Sequence, residues 1–228
     1  MVLQINPNAL LCARGSRKTD MKNGLRERKK QRTRAAVITQ AKALFDRHGL
    51  DGTAMETIAA DADISIASLY NYFPSKDVLI SAIIIEEMEA GLVEAEQHVT
   101  KPAKSPQQAF LNLLKTYFET FQHIDRTLLR RFTAHAITHE ASANEDYFQL
   151  EKALLEQIEQ LTQILSETTA FARNVEPKSL AQVIFSIANA EYYNFIVDDD
   201  MTAKDALGNI AGQLQIVLSV LGTEHDNQ

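Results

Sequence analysis

Chain breakers are scarce. Five prolines and eight glycines are spread over 228 residues, and no stretch alternates apolar and polar residues as a half-buried strand does. A chain so rarely interrupted favours long helices. The apolar residues agree. Ala36, Val37, Ala41, Leu44 and Phe45 fall at helical spacing, and His48-Gly49 supplies a stop. This predicts a first helix from Arg28 to His48. Thr53-Ala-Met-Glu56 has the form of a capping box opening a short helix to about Ala62. Asp63 occupies the following turn. Ser65 caps a second short helix from Ile66 to about Tyr72, which Pro74 ends. Ser75 then caps a long helix to about Val99, with Asp77 in its first turn. Beyond the linker at 101–106, helical patterns cover about 107–123, 125–139, 144–170, 178–198 and 203–221. The fold class is all-α, with about nine helices.

Charge is divided along the chain. Residues 1–34 hold ten Lys/Arg against two acids, a net of +8, whereas the whole chain is −7. A basic end on an acidic body suits an end that meets a polyanion, and equally a solvated tail. Residues 1–25 lack periodicity and read as a disordered extension; Met21 is a candidate natural start. Cys12 is the single cysteine, which fits a reducing, cytoplasmic setting. The first 13 residues carry their positive charges after the apolar stretch, the reverse of a secretory signal. No apolar run approaches the roughly 18 residues of a membrane-spanning helix.

Residues 53–76, TAMETIAADADISIASLYNYFPSK, place two short helices around a tight turn. That is the spacing of a helix-turn-helix, whose second helix enters the major groove. Ile58, Ala59, Ala62, Ile64 and Leu69 can lock the pair, and Phe73 can anchor it to the first helix. Ser65, Ile66, Ala67, Ser68, Tyr70, Asn71 and Tyr72 are left to face outward. Small residues allow close approach to a groove, and hydroxyls and amides bond phosphates or base edges. Tyr70 and Tyr72 are phosphate ligands or core aromatics. Ile66 meets a thymine methyl or packs. Lys76 is a phosphate ligand at a helix start or a plain surface lysine. Arg32, within the basic segment Arg26–Arg34, and Thr53 complete the candidate DNA contacts.

The run Ile58-Ala59-x-x-Ala62-x-Ile64-Ser65-x-x-x-Leu69-Tyr70-x-Tyr72-Phe73-x-x-Lys76 resembles the DNA-binding segment of TetR-type (tetracycline-repressor-like) regulators over about residues 28–80. Two positions depart from the usual pattern. Asp63 stands where glycine is common, and Ile66 where a polar residue or lysine is common. Aspartate tolerates a left-handed turn better than most residues. The resemblance implies a three-helix DNA-binding unit within 26–80, and a linking fourth helix. It implies a larger helical unit, 81–228, that binds an effector and forms a homodimer. It further implies repression of an operator, relieved by a small molecule. An activator, or a constitutive DNA-binding protein without effector, remains open.

Within the larger segment, Phe118, Phe121, Arg131, His135 and Tyr192 are candidate effector-pocket residues, pointing mildly to an apolar or aromatic ligand. The same aromatics can equally be core. The stripes containing Leu180, Ile184, Ile187 and Phe195, and Leu214 and Leu218, are candidate dimer contacts. The resemblance implies that these last two helices pair with their copies. His135 and His139, four residues apart, can share a metal with His123 or form an ordinary pair. Neither a metal nor any other cofactor is expected. No nucleophile elbow or phosphate loop suggests an enzyme.

Overall fold

The computed structural model describes residues 21–138, 145–168 and 175–222. Among them are nine helices and no strand: α1 Met21–His48, α2 Met55–Asp61, α3 Ile66–Tyr72, α4 Lys76–Thr100, α5 Pro106–Gln122, α6 Arg126–Thr138, α7 Glu145–Thr168, α8 Pro177–Val197 and α9 Ala203–Gly222. The chain divides into two compact units, one ending at Leu79 and the other starting at Ile80, so the boundary falls in the first turn of α4.

In the N-terminal unit, α1 contributes Val37, Ile38, Ala41, Leu44 and Phe45 to a core shared with Ile58, Ala59, Leu69 and Phe73. Helix α1 begins at Met21, seven residues before the predicted start and inside the segment expected to be disordered. Its residues from Arg26 to Arg32 are exposed. No apolar face marks them, so periodicity missed about two turns at the start of the helix. Helix α1 stops at Gly49, whose φ of 71° suits glycine.

Helix α2 ends in a Schellman motif. Ala62 is the C-cap, and Asp63 takes the left-handed conformation at φ 53°. The Asp63 amide donates to the Ala60 carbonyl at 3.1 Å, and the Ile64 amide to the Ala59 carbonyl at 3.0 Å. The predicted capping box at Thr53 does not form. Ala54 is the N-cap of α2 and supplies no side-chain cap. The Thr53 hydroxyl instead lies inside the unit, within reach of two carbonyls, Gly49 at 2.8 Å and Leu44 at 3.3 Å.

In the C-terminal unit, α7 packs on α8, α9 packs on α5 and α8, and α6 packs on α8. Phe110, Leu113, Leu114, Phe118, Leu129, Ile158, Leu161 and Ile184 lie in its core. Several buried polar groups are paired, although Ser81 Oγ and Gln160 Oε1 are buried without a hydrogen-bond partner among the described residues. Gln157 accepts the Tyr117 hydroxyl and donates to the Leu92 carbonyl at 2.9 Å. Glu191 accepts amide protons from Asn209 at 3.0 Å and Gln213 at 2.7 Å, tying α8 to α9. Arg126 donates to the Phe195, Asp198 and Met201 carbonyls, which satisfies backbone acceptors at the C-terminal end of α8. Thr202 and Asp205 do form a reciprocal capping box at the start of α9.

Candidate nucleic-acid interface and aromatic cavity

Helix α3 is two turns long and is held by a single fully buried side chain, Leu69. Leucine on one face of so short a helix leaves most of the remaining residues facing outward. Ser65, Ile66, Ala67, Tyr70 and Asn71 are exposed, Ile66 by 36% and Tyr70 by 44%. The Ser65 side chain caps the helix, accepting from the Ser68 amide at 3.1 Å, and its hydroxyl bonds that of Ser68 at 2.8 Å. Ser68 and Tyr72 are half-buried. Phe73, the residue expected to anchor the motif, is buried, with the Arg34 guanidinium 5.6 Å from its ring centroid. Arg32 lies exposed on α1 beside Arg28, Lys29 and Lys30.

Two of the predicted DNA contacts are placed otherwise. Thr53 is only 2% exposed and its hydroxyl is committed to backbone. The Lys76 ammonium reaches back to the Leu50 carbonyl and sits 5.8 Å from the Phe45 ring centroid. Both residues hold the α1–α2 turn, so they shape the motif from within. Sequence spacing gave no sign of this, because the partners of Lys76 lie 26 or more residues away.

The C-terminal unit contains a cavity of about 40 Å³ with mainly apolar walls. Phe118 and Phe121 of α5 and Tyr192 of α8 line it, three of the five residues singled out from sequence. The Phe121 and Tyr192 rings pack with centroids 4.8 Å apart, tilted by 48°. Tyr117, Tyr147 and Glu151 line it as well; the two tyrosines belong to the aromatic content of this segment but are not among the pocket candidates, and the sequence does not single out Glu151. Aromatic character could have flagged the tyrosines, but nothing in the spacing distinguishes Glu151 from the surface acids of α7. Arg131 and His135 do not line the cavity. Helix α6 turns Phe132, Thr133 and Ala136 inward, leaving Arg131 exposed and His135 half-buried. Thr133 is the inward residue that matters, its hydroxyl bonding that of Tyr192 at 3.1 Å. Burial pushes the Tyr192 phenol up to about 12, and the bond to Thr133 pulls slightly the other way.

The predicted dimer stripe is also redistributed. Leu180, Ile184, Phe195 and Leu214 are buried within the unit itself, and only Ile187 and Leu218 are partly accessible. The exposed large apolar residues on these helices are Val183, Tyr193, Val197, Ile216 and Val220. Ile187 and Val183 border a shallow open groove with Ser179, Gln182, Ser186, Ala190 and Gln213. His139 lies outside the described residues. Among the described residues, no three His, Cys, Asp or Glu side chains gather as metal ligands, and no helix is long and apolar enough to cross a membrane.

Residues 37–83 match the family model of bacterial regulatory proteins of the tetR family. The chain is 32% identical over 69 residues to the HTH-type transcriptional regulator UidR of Escherichia coli, covering 30% of this chain and 35% of that protein. It is 29% identical over 93 residues to the HTH-type transcriptional repressor NicS of Pseudomonas putida, covering 41% of this chain and 43% of that protein. The matched segment thus spans about a third of the length of the first of these curated relatives. The fold extends further. A TetR-family transcriptional regulator from Pectobacterium atrosepticum superposes with a TM-score of 0.64 at 18% identity, covering 84% of this chain and 94% of that one. Residues 37–83 thus carry a segment like the DNA-binding part of tetR-family regulatory proteins, and the chain as a whole shares the all-α fold of TetR-family structures.

Proposed function

We propose that this chain is a cytoplasmic transcriptional regulator, a repressor that binds a palindromic operator as a homodimer and leaves it when a small-molecule effector binds. The carrying observation is the outward face of α3: Ser65, Ile66, Ala67, Tyr70 and Asn71 stand exposed on a helix anchored through Leu69. Hydroxyl, amide and small side chains on such a helix suit a major groove. The exposed cations Arg26, Arg28, Lys29, Lys30 and Arg32 on α1 add phosphate attraction independent of sequence. Ser68 and Tyr72 contribute from the half-buried flank, while Thr53 and Lys76 hold the motif in shape.

In this reading residues 26–80 bind DNA, and residues 81–228 bind effector and dimerise. Two recognition helices must enter successive major grooves about 34–36 Å apart, which a twofold dimer provides. Val183, Ile187, Val197, Ile216, Leu218 and Val220 supply apolar surface for it. Phe118, Phe121 and Tyr192 form the effector site. Met88 and Leu92 of α4 also line that cavity, and α4 begins at Lys76 in the N-terminal unit. An effector that favours one setting of α4 therefore biases DNA binding, typically by about 1–3 kcal/mol and reciprocally.

The test is fluorescence anisotropy against the DNA flanking the chain's own gene and against scrambled DNA, at two salt concentrations. Specific binding that weakens with salt, and that falls at least about tenfold in Tyr70→Ala or Asn71→Ala, supports the reading. Affinity indifferent to DNA sequence and to both substitutions refutes it. The effector half is tested by a compound screen for DNA release, repeated in Ala188→Leu, which fills the cavity from its wall. Release by the same compounds at the same concentrations in that variant would place the effector elsewhere.

A further inference from the structure

The cavity wall combines six aromatic rings, from Tyr117, Phe118, Phe121, Tyr147, Phe185 and Tyr192, with one carboxylate, Glu151. No lysine, arginine or histidine lines it among the described residues. Glu151 accepts the Tyr147 hydroxyl at 2.6 Å. Among the described residues its carboxylate has no cationic side chain within ion-pair distance; the nearby lysine, Lys152, pairs with Glu156 instead. Glu96 adds a second negative charge behind Tyr117, accepting from the Gln157 amide at 3.1 Å. Burial first, and these carboxylates next, hold the Tyr117 and Tyr147 phenols above their ordinary range, so both stay neutral.

The three tyrosine hydroxyls are already engaged, with Gln157, Glu151 and Thr133. What remains for a ligand is ring surface, the Glu151 charge and the neutral amide of Asn189. We propose that the cavity binds a hydrophobic organic cation, an aryl or alkyl ammonium whose charge is met by Glu151 and the rings around it. This rests on the effector reading above and deepens it. Aromatic faces are the negative part of the ring quadrupole and attract cations. An anion would be buried beside a carboxylate with no counter-charge, which is strongly unfavourable. A neutral hydrocarbon gains apolar burial alone. The volume of about 40 Å³ holds only a few water-sized centres, so an aryl ammonium enters by displacing wall side chains. Met88, unbranched and half-buried, is suited to yield.

The test is calorimetric titration of the full chain with phenyltrimethylammonium, its neutral isostere tert-butylbenzene, and benzoate. Expected is binding of the cation at least about tenfold tighter than the isostere, with benzoate not competing. Glu151→Gln should bring cation and isostere within about threefold of each other, whereas the control Glu156→Gln, whose carboxylate pairs with Lys152, keeps the preference. Equal binding of cation and isostere, preferred binding of benzoate, or a preference that survives Glu151→Gln overturns the inference and leaves the effector reading standing. Binding of none of the three also overturns it. The effector reading is then decided separately, by the DNA-release screen and its Ala188→Leu arm.

Discussion

Asp63 tests the helix-turn-helix at its tightest point. It is the single non-glycine residue with positive φ among the described residues, at 53°, and it sits where the chain leaves α2 to enter α3. A side chain with a Cβ costs roughly 1–2 kcal/mol in that conformation, less for Asp and Asn because they can bond locally. Valine has no such relief, and its branched Cβ worsens the clash. Asp63→Val should therefore destabilise the N-terminal unit by roughly 1–2 kcal/mol. Glycine removes the Cβ but loosens the unfolded chain, a loss of about 0.4–1 kcal/mol. Asp63→Gly should then fall between neutral and about 1 kcal/mol more stable, and Asp63→Asn close to the starting protein. Native-state hydrogen exchange of the Ile64 amide, which donates to Ala59 at 3.0 Å, reads the turn directly and without DNA, so the lost charge does not confuse the result. The valine variant should exchange roughly five- to thirtyfold faster, the glycine variant no faster. If valine exchanges like aspartate, or glycine exchanges much faster, backbone strain at this position is not what limits the residue, and the reasoning fails.

Further substitutions probe the C-terminal unit. A Cβ on Gly91 would lie 2.8 Å from the Thr120 hydroxyl oxygen, so Gly91→Ala should lower stability by about 1–2 kcal/mol. Adding Thr120→Ala should return much of that loss in a double-mutant cycle; strict additivity would refute the contact. Glu191→Leu removes the buried carboxylate to which the exposed Asn209 and half-buried Gln213 donate; water reaches both amides, so the loss in chemical denaturation should be about 0.5–1.5 kcal/mol, and a loss well above that refutes the reading. Tyr192, pushed up to about 12 by burial, is an acid that ionises later in the folded chain than in the unfolded one. Its contribution to stability is intact below about pH 10 and is lost as pH rises through 12; phenolate absorbance tracking that window checks it, and titration near 10 refutes it.

Much of this molecule was legible in order along the chain. The helix limits of α3 to α9 follow from caps, prolines and apolar spacing, which act between residues a few positions apart. Ser65, Ser75 and Pro177 take the roles their chemistry suggests, capping α3, capping α4 and opening α8. Asp63 tolerates the left-handed turn that its type permits. Failures began where a residue's role depends on which way the folded chain turns its side chain. Thr53 has the sequence of a helix cap, yet its hydroxyl turns toward Leu44 and Gly49. Arg131 and His135 share a helix with Thr133, yet only Thr133 reaches Tyr192. Arg126 and Arg130 were passed over, though both hold the end of α8 through carbonyls at least 66 residues away.

The sequence by itself determined an all-α chain with a helix-turn-helix at its basic end, because helix periods, caps and turn chemistry are local and survive without knowledge of neighbours. Tertiary structure decided which apolar stripes are interior. Leu180, Ile184, Phe195 and Leu214 read as surface for a partner, but the unit buries them itself and exposes Val183, Val197, Ile216 and Val220. A stripe records that one side of a helix avoids water; only packing says what covers it. The same holds for the cavity, where Glu151 gains its meaning from rings on α5 and α8 that lie tens of residues away in the chain and beside it in the fold.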